Sequence, residues 1–553
     1  MPEPRPFPVP DYFPLTFENP EDAFKQFRQD RMHAPYPMTP MSGWFSQRFA
    51  RGFSAGVAAN SIPVQADALR LNTYFYLGIN PSVPPEQLPA LEEQAGAAIN
   101  AAAPVAATRW ENEWLPELQR MWDDWNSIDL ASLSDAELAK RAPVGVGYYQ
   151  RAWTIHFEML IPAMVGASLF EDVYAQLFPG RPTMDAYRLV RGFGNKSVEV
   201  GRELWLIAQD AGRDPALRAL VESTPADRLW AVLAENESAR AIRTRLEQYL
   251  AQYGRRSDNV QELASPSWTE DPAPAMASFK AYLDDPQDPA DLQRAHAAER
   301  ERELAELRAN LAGAPPEARG AFEALLKVAQ DFGQLQEDHN FWIDQRSTHE
   351  MRQLCLEIGR RLARAGKLSD PADVLMLDLD EALAALTGAD TGEVASRVAA
   401  RRQEMEHWAK LVPPPFVGMD YGPPPDNPIT RAIGRFFGGP PPESQGNELR
   451  GNAGAPGRTT GIARIVMTID EGHRLGQDEI LVTPTTAPPW TPFFATAAAV
   501  VTETGAQLSH CAVVAREYGI PAVVGVPGAT AIIKDGARIE VDGDAGVVRL
   551  LDA

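Results

Sequence analysis

The stretch TETGAQLSHCAVVAREYGIPAVVG, residues 502–525, decides how this chain is read. An apolar run ends near Thr502, a loop follows from Glu503 to Leu508, and Gly505 supplies a residue free to take positive φ. Ser509 is placed to cap a helix over 509–518, which Gly519 ends and Pro521 keeps from continuing. His510 therefore stands in the first turn of a helix, where unpaired amides and the positive end of the dipole converge. That setting suits a phosphoryl group on the imidazole, held by amides and by the hydroxyls of Thr502, Thr504 and Ser509, with Gly505 shaping the loop. The small neighbours are expected to leave the ring unshielded. A core histidine satisfied by a backbone carbonyl is the competing account, and spacing alone leaves both open.

Working outward, the runs GIARIVM, EILVTP, AAVVTE, AVVGV, ARIEVDG and GVVRLL read as short strands around this loop. Residues 448–553 are thus expected to form a compact sheet domain of about 105 residues. Ahead of it, residues 413–447 hold three PPP runs and several glycines, which predicts a semi-stiff spacer. Residues 63–412 are rich in Ala, Leu, Glu and Arg, with apolar residues three and four apart, as in EVASRVAARRQEMEHWAKLV, and predict a helical body. Residues 1–62, with FPVPDYFPL and HAPYPMTPMSGWF, predict extended chain wrapped on that body. The fold class is multidomain: a mainly α-helical body followed by a sheet domain.

Whole-chain quantities narrow the chemistry. With 553 residues the chain is too long for one core, and a net charge of -23 without a basic cluster argues against nucleic acid. Two cysteines, Cys355 and Cys511, make a disulfide framework improbable and fit a reducing, cytoplasmic setting. The N-terminus lacks a basic segment followed by an apolar one, and no run of about 18 apolar residues predicts a membrane span.

The motif at 502–525 resembles the phosphohistidine signature of the phosphoenolpyruvate-utilising enzymes, T-x-x-G-G-x-x-S-H-A-A-I-x-A-R-E-x-G-I-P-A-V-x-G. GRTTGIARIV, DEILVTPTTAPPWTPFF and ATAIIKDGARIEVDGDAGVV are similar to the family's flanking segments. Ala506 departs from a usual Gly and Cys511 from a usual Ala. The resemblance implies a swivelling β/β/α domain with His510 as the phosphocarrier. FENPEDAFKQFRQDRMHAPYPMTPM, YYQRAWTIHFEM, VRGFGNKSVEVGRELWLIA, YGRRSDNVQELASPSWTEDP and EDHNFWIDQRSTHEMRQLCLEIGRRLARAGKL resemble the family more loosely. No G-x-x-x-x-G-K-[ST] is present, GNAGAPGRTTGIA leads into a strand, and 65–410 lacks strand–helix alternation.

The layout is most similar to the histidine-bearing subunit of phenylphosphate synthase and of the hydroxyacetophenone and acetovanillone kinases, and to rifampicin phosphotransferase without its ATP-binding domain. That resemblance implies ATP and Mg2+ held by a separate ATP-grasp-like subunit, and a small aromatic hydroxyl compound as acceptor. It implies no metal bound by this chain. A rifampicin-type acceptor and a non-catalytic phosphocarrier are the alternatives.

Acceptor-site candidates come from the remaining histidines. His339 and Arg346, seven apart, share a helical face, as do Trp342 and His349, with Arg352 turned away; together they offer a base and cations for a moving phosphoryl group. Pairing with Glu337, Asp338, Asp344 or Glu350 is the plainer alternative. His33, His156, Asn195 and Lys196 are candidate substrate-binding residues, the last two following a Gly-Phe-Gly turn. His296, His407 and His473 read as solvated.

Overall fold

The structure, a computed structural model, describes residues 4–257, 259–390, 392–439 and 444–551. It divides into two compact units: residues up to Pro162 with Asn259–Ser265 and Trp342–Pro425, and Ala163–Asp258 with Pro266–Phe341 and Asp426 onward. The expected helical body at 63–412 is thus shared between both.

The first unit contains an antiparallel sheet of β1 (Arg5–Pro6), β2 (Gln26–Gln29), β3 (Val64–Leu71), β4 (Tyr74–Pro81) and β5 (Phe416–Asp420), in the order β1-β5-β2-β4-β3. Phe13, Phe27, Tyr74, Tyr76 and Val417 form an apolar cluster against it. Three expectations are corrected here. Residues 1–62 are not simply extended, because Pro40–Ala59 is a 20-residue helix. Thr39 caps it by accepting from the Ser42 amide, and Glu262 accepts from the amide and hydroxyl of Thr39 and the hydroxyl of Ser42. The segment 63–412 also opens with a hairpin, β3–β4, because VQADALRL and YFYLGINP alternate at a period of two.

The segment 413–447 is the third. Instead of an uninterrupted spacer it carries β5, paired to β1 and β2, and a helix, Pro428–Phe437, that Asn427 starts with a capping box; residues 440–443 lie outside the described residues. One helix, Asp135–Leu177, is long and apolar enough by length and composition to cross a membrane, unlike the expectation, although 78% of its most apolar window is buried.

The second unit joins helices to an eight-stranded sheet: β6 (Glu448–Arg450), β7 (Asn452–Ala455), β8 (Arg458–Ile465), β9 (Ile480–Thr483), β10 (Ala499–Thr502), β11 (Ala522–Val524), β12 (Arg538–Asp542) and β13 (Val547–Leu550). Their order is β6-β13-β12-β8-β9-β10-β11-β7, with β8 to β11 parallel and the outer pairs antiparallel. The outermost strands, β6 and β7, are consecutive in the chain with only Gly451 between them, so one stretch of chain serves both ends of the sheet. All six strand runs read from the sequence are present.

One face of the sheet buries Ile480, Val482, Val501, Val523, Ile539 and Val541 together. Through Leu481, Val500, Cys511, Val514 and Phe493, the other belongs to the same apolar core as Leu204, Ile207, Tyr249, Trp268 and Tyr282 of the helices. Burying a Val or Leu side chain contributes about 1.5–3 kcal/mol, so this shared core fixes the helix His510–Tyr518 against its neighbours.

Candidate active site

β10 ends at Thr502, Gly505 takes φ 98°, and the helix His510–Tyr518 stops on Gly519 at φ 69°. Ala506 is not among the described non-glycine residues with positive φ, so its methyl meets no backbone conflict there. The loop is tied at several points. Gly505 O accepts from Asn452 Nδ2 at 3.1 Å, and the Leu508 amide donates to Arg435 O at 2.8 Å. Arg435 is anchored in turn on Ser168, Glu171 and Asp172.

The hydroxyls expected to hold a phosphoryl group are turned to the backbone. Thr502 donates to Thr504 O at 2.8 Å, Thr504 to Pro484 O at 3.4 Å, and Ser509 to Ala506 O at 2.7 Å. Ser509 occupies the N-cap position without a side-chain cap bond, contrary to expectation, because its hydroxyl proton already serves the loop. Cys511 is buried, and burial pushes its thiol up to about 12, which makes it inert.

His510 is not unshielded. Its side chain is 12% exposed, and Nδ1 lies 3.1 Å from Glu337 Oε1. Nε2 is buried and has no hydrogen-bond partner among the described residues. Glu337, 1% exposed, comes from the helix Pro316–His339, and its second oxygen accepts from the Ser197 hydroxyl. Burial alone raises the Glu337 carboxyl, but His510, Ser197 and His339 outweigh it and hold the group below its ordinary value. An ionised carboxylate only accepts, so the Nδ1 proton stays on the imidazole and the Nε2 lone pair is left as the nucleophile.

Two helix starts surround the acidic pair Glu337–Asp338. The helix Lys196–Gly212 supplies Ser197 to Glu337 and the Lys196 amide to Asp338 at 2.8 Å. The helix His510–Tyr518 supplies His510. Two positive dipole ends thus help to offset this buried acidic pair. Burial still pushes Asp338 up to about 6.

The candidates at 195–196 are part of this frame. Asn195 is the N-cap, accepting from the Val198 amide at 3.0 Å, and Lys196 pairs with Glu199 at 2.8 Å. Behind the histidine helix, a small cavity is lined by Glu171, Tyr187, Leu508, Val513, Arg516 and Glu517. Burial lowers Arg516 to about 10 and raises Glu517 to about 7. His296, expected to be solvated, is 6% exposed, and burial lowers it to about 4. His407 is exposed, and the His473 side chain lies outside the described residues.

Of the other acceptor candidates, His33 and His156 share the neighbourhood of Asp344 in the first unit. His339 Nδ1 donates to Leu335 O at 2.7 Å, and the side chain is buried. The expected common face of His339 and Arg346 rests on a continuous α-helix, but Asn340–Gln345 form a π-helical turn that changes the angular spacing. In the first unit, Arg346 pairs with Glu350 at 2.6 Å, Arg352 donates to Leu263 O, and Trp342 is half-buried. His349 lines a polar cavity with Asp129, Glu350, Gln353 and Arg360. His33 Nδ1 lies 2.9 Å from Asp30, and His156 Nδ1 lies 2.9 Å from Asp344. Burial lowers His33, but Asp30 outweighs it and the group is raised; burial and the charge of His33 lower His156 to about 3.

Sequence reasoning missed Glu337 as the partner of His510, and Ser197 altogether. They lie 173 and more than 300 positions away, so only the fold brings them together.

Known proteins share these segments. Residues 475–546 match the mobile domain of PEP-utilising enzymes, and residues 156–337 match the fourth domain of rifampicin phosphotransferase. A chondramide synthase of Chondromyces crocatus is 35% identical over 98% of this chain and 14% of its own length. A Bacillus subtilis phosphotransferase, YvkC, is 27% identical over 73% of this chain and 48% of its own length. A Streptomyces rifampicin phosphotransferase is 32% identical over 65% of this chain and 40% of its own length. The chain therefore spans less than half the length of these relatives.

Proposed function

Because residues 475–546 match the mobile domain of PEP-utilising enzymes and residues 156–337 a domain of rifampicin phosphotransferase, we propose that the chain is the histidine-bearing part of a phosphotransferase of that family, with His510 as the phosphocarrier. The observation that carries this reading is the His510–Glu337 bond: it fixes the proton on Nδ1 and leaves a buried, unpartnered Nε2 at a helix start. In loading, the Nε2 lone pair attacks the β-phosphorus of ATP and AMP departs with the bonding electrons; water then attacks the γ-phosphorus and releases phosphate, so that one phosphoryl group stays on Nε2. In unloading, an acceptor oxygen attacks, the P–N bond breaks back to Nε2, and the acceptor's proton passes to water. Glu337 keeps the ring oriented throughout and neutralises the imidazolium form.

ATP, bound with Mg2+, supplies the phosphoryl group in this reading. The glycine-rich stretch at 451–461 does not fit a nucleotide, because 452–455 and 458–465 are ladder strands and open no helix. We assign nucleotide binding to a separate ATP-grasp-like subunit, in a cytoplasm whose reducing state suits two buried free thiols. The acceptor in this reading is the hydroxyl of a small aromatic compound. A bulkier, rifampicin-type acceptor is the second reading, favoured by the match of residues 156–337. The chondramide synthase likeness, covering 98% of this chain within 14% of that protein, supports a module that works beside other catalytic parts.

The test is to mix the chain with its ATP-binding partner and [β-32P]ATP and look for acid-labile label. Label is expected on the wild type and absent from His510→Ala; label persisting in the variant excludes His510. Adding phenol or rifampicin then separates the two acceptors by which one discharges the label.

A further inference from the structure

Arg256 is 2% exposed, yet its guanidinium makes no hydrogen bond or ion pair among the described residues, and its Nε is buried without a partner. It lies 5.3 Å from the Trp268 ring centroid and 5.8 Å from that of Phe341. On Phe341 it meets a second cation, because Lys196 Nζ is 5.7 Å from the same centroid. The Lys196 amide bonds Asp338, the next residue, Ser197, bonds Glu337, and Glu337 bonds His510. A buried arginine is therefore packed within electrostatic reach of Glu337, the partner of His510, with its charge uncompensated by any bonded carboxylate among the described residues.

Such a placement is costly. Removing an unpaired ion from water costs several kcal/mol, and stacking on two rings recovers only a part. The facing groups are Tyr249, Tyr253 and Glu337, whose charges favour the guanidinium form although burial lowers it. Glu337 is already committed to His510 and Ser197. When His510 carries a phosphoryl group, a dianion arrives beside the Glu337 carboxylate and needs a counter-charge that Glu337 cannot supply. Arginine's planar fork suits phosphate oxygens better than a point charge does.

We infer that Arg256 is the phosphoryl-binding cation of the His510 site, left without a partner until the histidine is phosphorylated. This rests on the carrier reading above. The residue neither forms nor breaks a bond; it neutralises the phosphoryl oxygens while they ride on Nε2.

The test uses the full chain, phosphorylated chemically with potassium phosphoramidate, with 31P NMR to follow phosphohistidine and thermal melting before and after. Wild type is expected to melt higher once phosphorylated, because a missing counter-ion has been supplied. Arg256→Gln, without phosphate, is expected to melt at or above wild type, to gain nothing on phosphorylation, and to lose its phosphohistidine about tenfold faster. A wild-type melting temperature unmoved by phosphorylation overturns the inference without recourse to any variant. So does an Arg256→Gln chain that melts well below wild type while keeping its phosphohistidine equally long, the signature of a structural residue. Absence of phosphohistidine at His510 in the wild type sinks the carrier reading itself, a result distinguishable from both.

Discussion

Histidine–carboxylate pairs occur in both units, and they differ in what surrounds them. In the first unit, His33 meets Asp30 and His156 meets Asp344, each at 2.9 Å. In the second, His510 meets Glu337 at 3.1 Å. The distances are alike, so the bond itself does not mark a carrier. His156 is held neutral, down to about 3, among the rings of Trp153 and Phe157. His510 instead opens a helix, keeps a buried nitrogen without a partner among the described residues, and borrows its carboxylate from a distant helix. Pairing orients an imidazole; the helix start and the open nitrogen give it something to do.

Labelling breaks or upholds this contrast most directly. His510→Ala is expected to reduce acid-labile phosphoryl incorporation to background, whereas His33→Ala and His156→Ala retain it, as scintillation counting after base and acid treatment will read. Label lost from a first-unit variant alone would reverse the comparison. Next comes Asp344→Ala, which strips a buried histidine of its bond and is expected to cost about 2 kcal/mol in urea unfolding. A negligible change would mean the first-unit pair is ornamental rather than structural.

Two smaller effects sharpen the second unit's side. Gly519→Ala places a Cβ 3.1 Å from His296 Nε2 at a position with φ 69°, and is expected to cost about 1 kcal/mol in the same assay. Glu517 predicts a pH dependence. Its folded carboxyl sits at about 7, above the ordinary 4.5, so the folded chain holds a proton that the unfolded chain has lost. Stability from this group therefore falls as pH rises from about 4.5 through about 7, and melting temperatures across that window should decline. Arg516, in the same wall, stays charged there and does not mask the trend.

The strand-rich end of the chain was legible because its runs are short, apolar and punctuated by glycine, and the six strands fall where alternation and turns put them. The helix holding His510 was equally plain from Gly519 and Pro521. The helix Pro40–Ala59 escaped because Gly, Ser and aromatic residues dilute its helical propensity, although the Thr39–Pro40 start was written in the sequence. Residues 413–447 misled because PPP runs flank, rather than fill, a strand and a helix. Glu337 and Arg256 sit in charged or polar surroundings that local pattern treats as surface; their burial comes from contacts between remote segments, which no spacing rule reaches.

Gly451 deserves the last thought as a seam. A Cβ there would stand 2.6 Å from Val524 O and 2.7 Å from a Val526 methyl, so any side chain pushes the β6–β7 corner away from β11. Were β7 to lift away, β11 would present a bare row of amides and carbonyls able to recruit a strand from another molecule. A single hydrogen in place of a methyl thus keeps that strand edge covered.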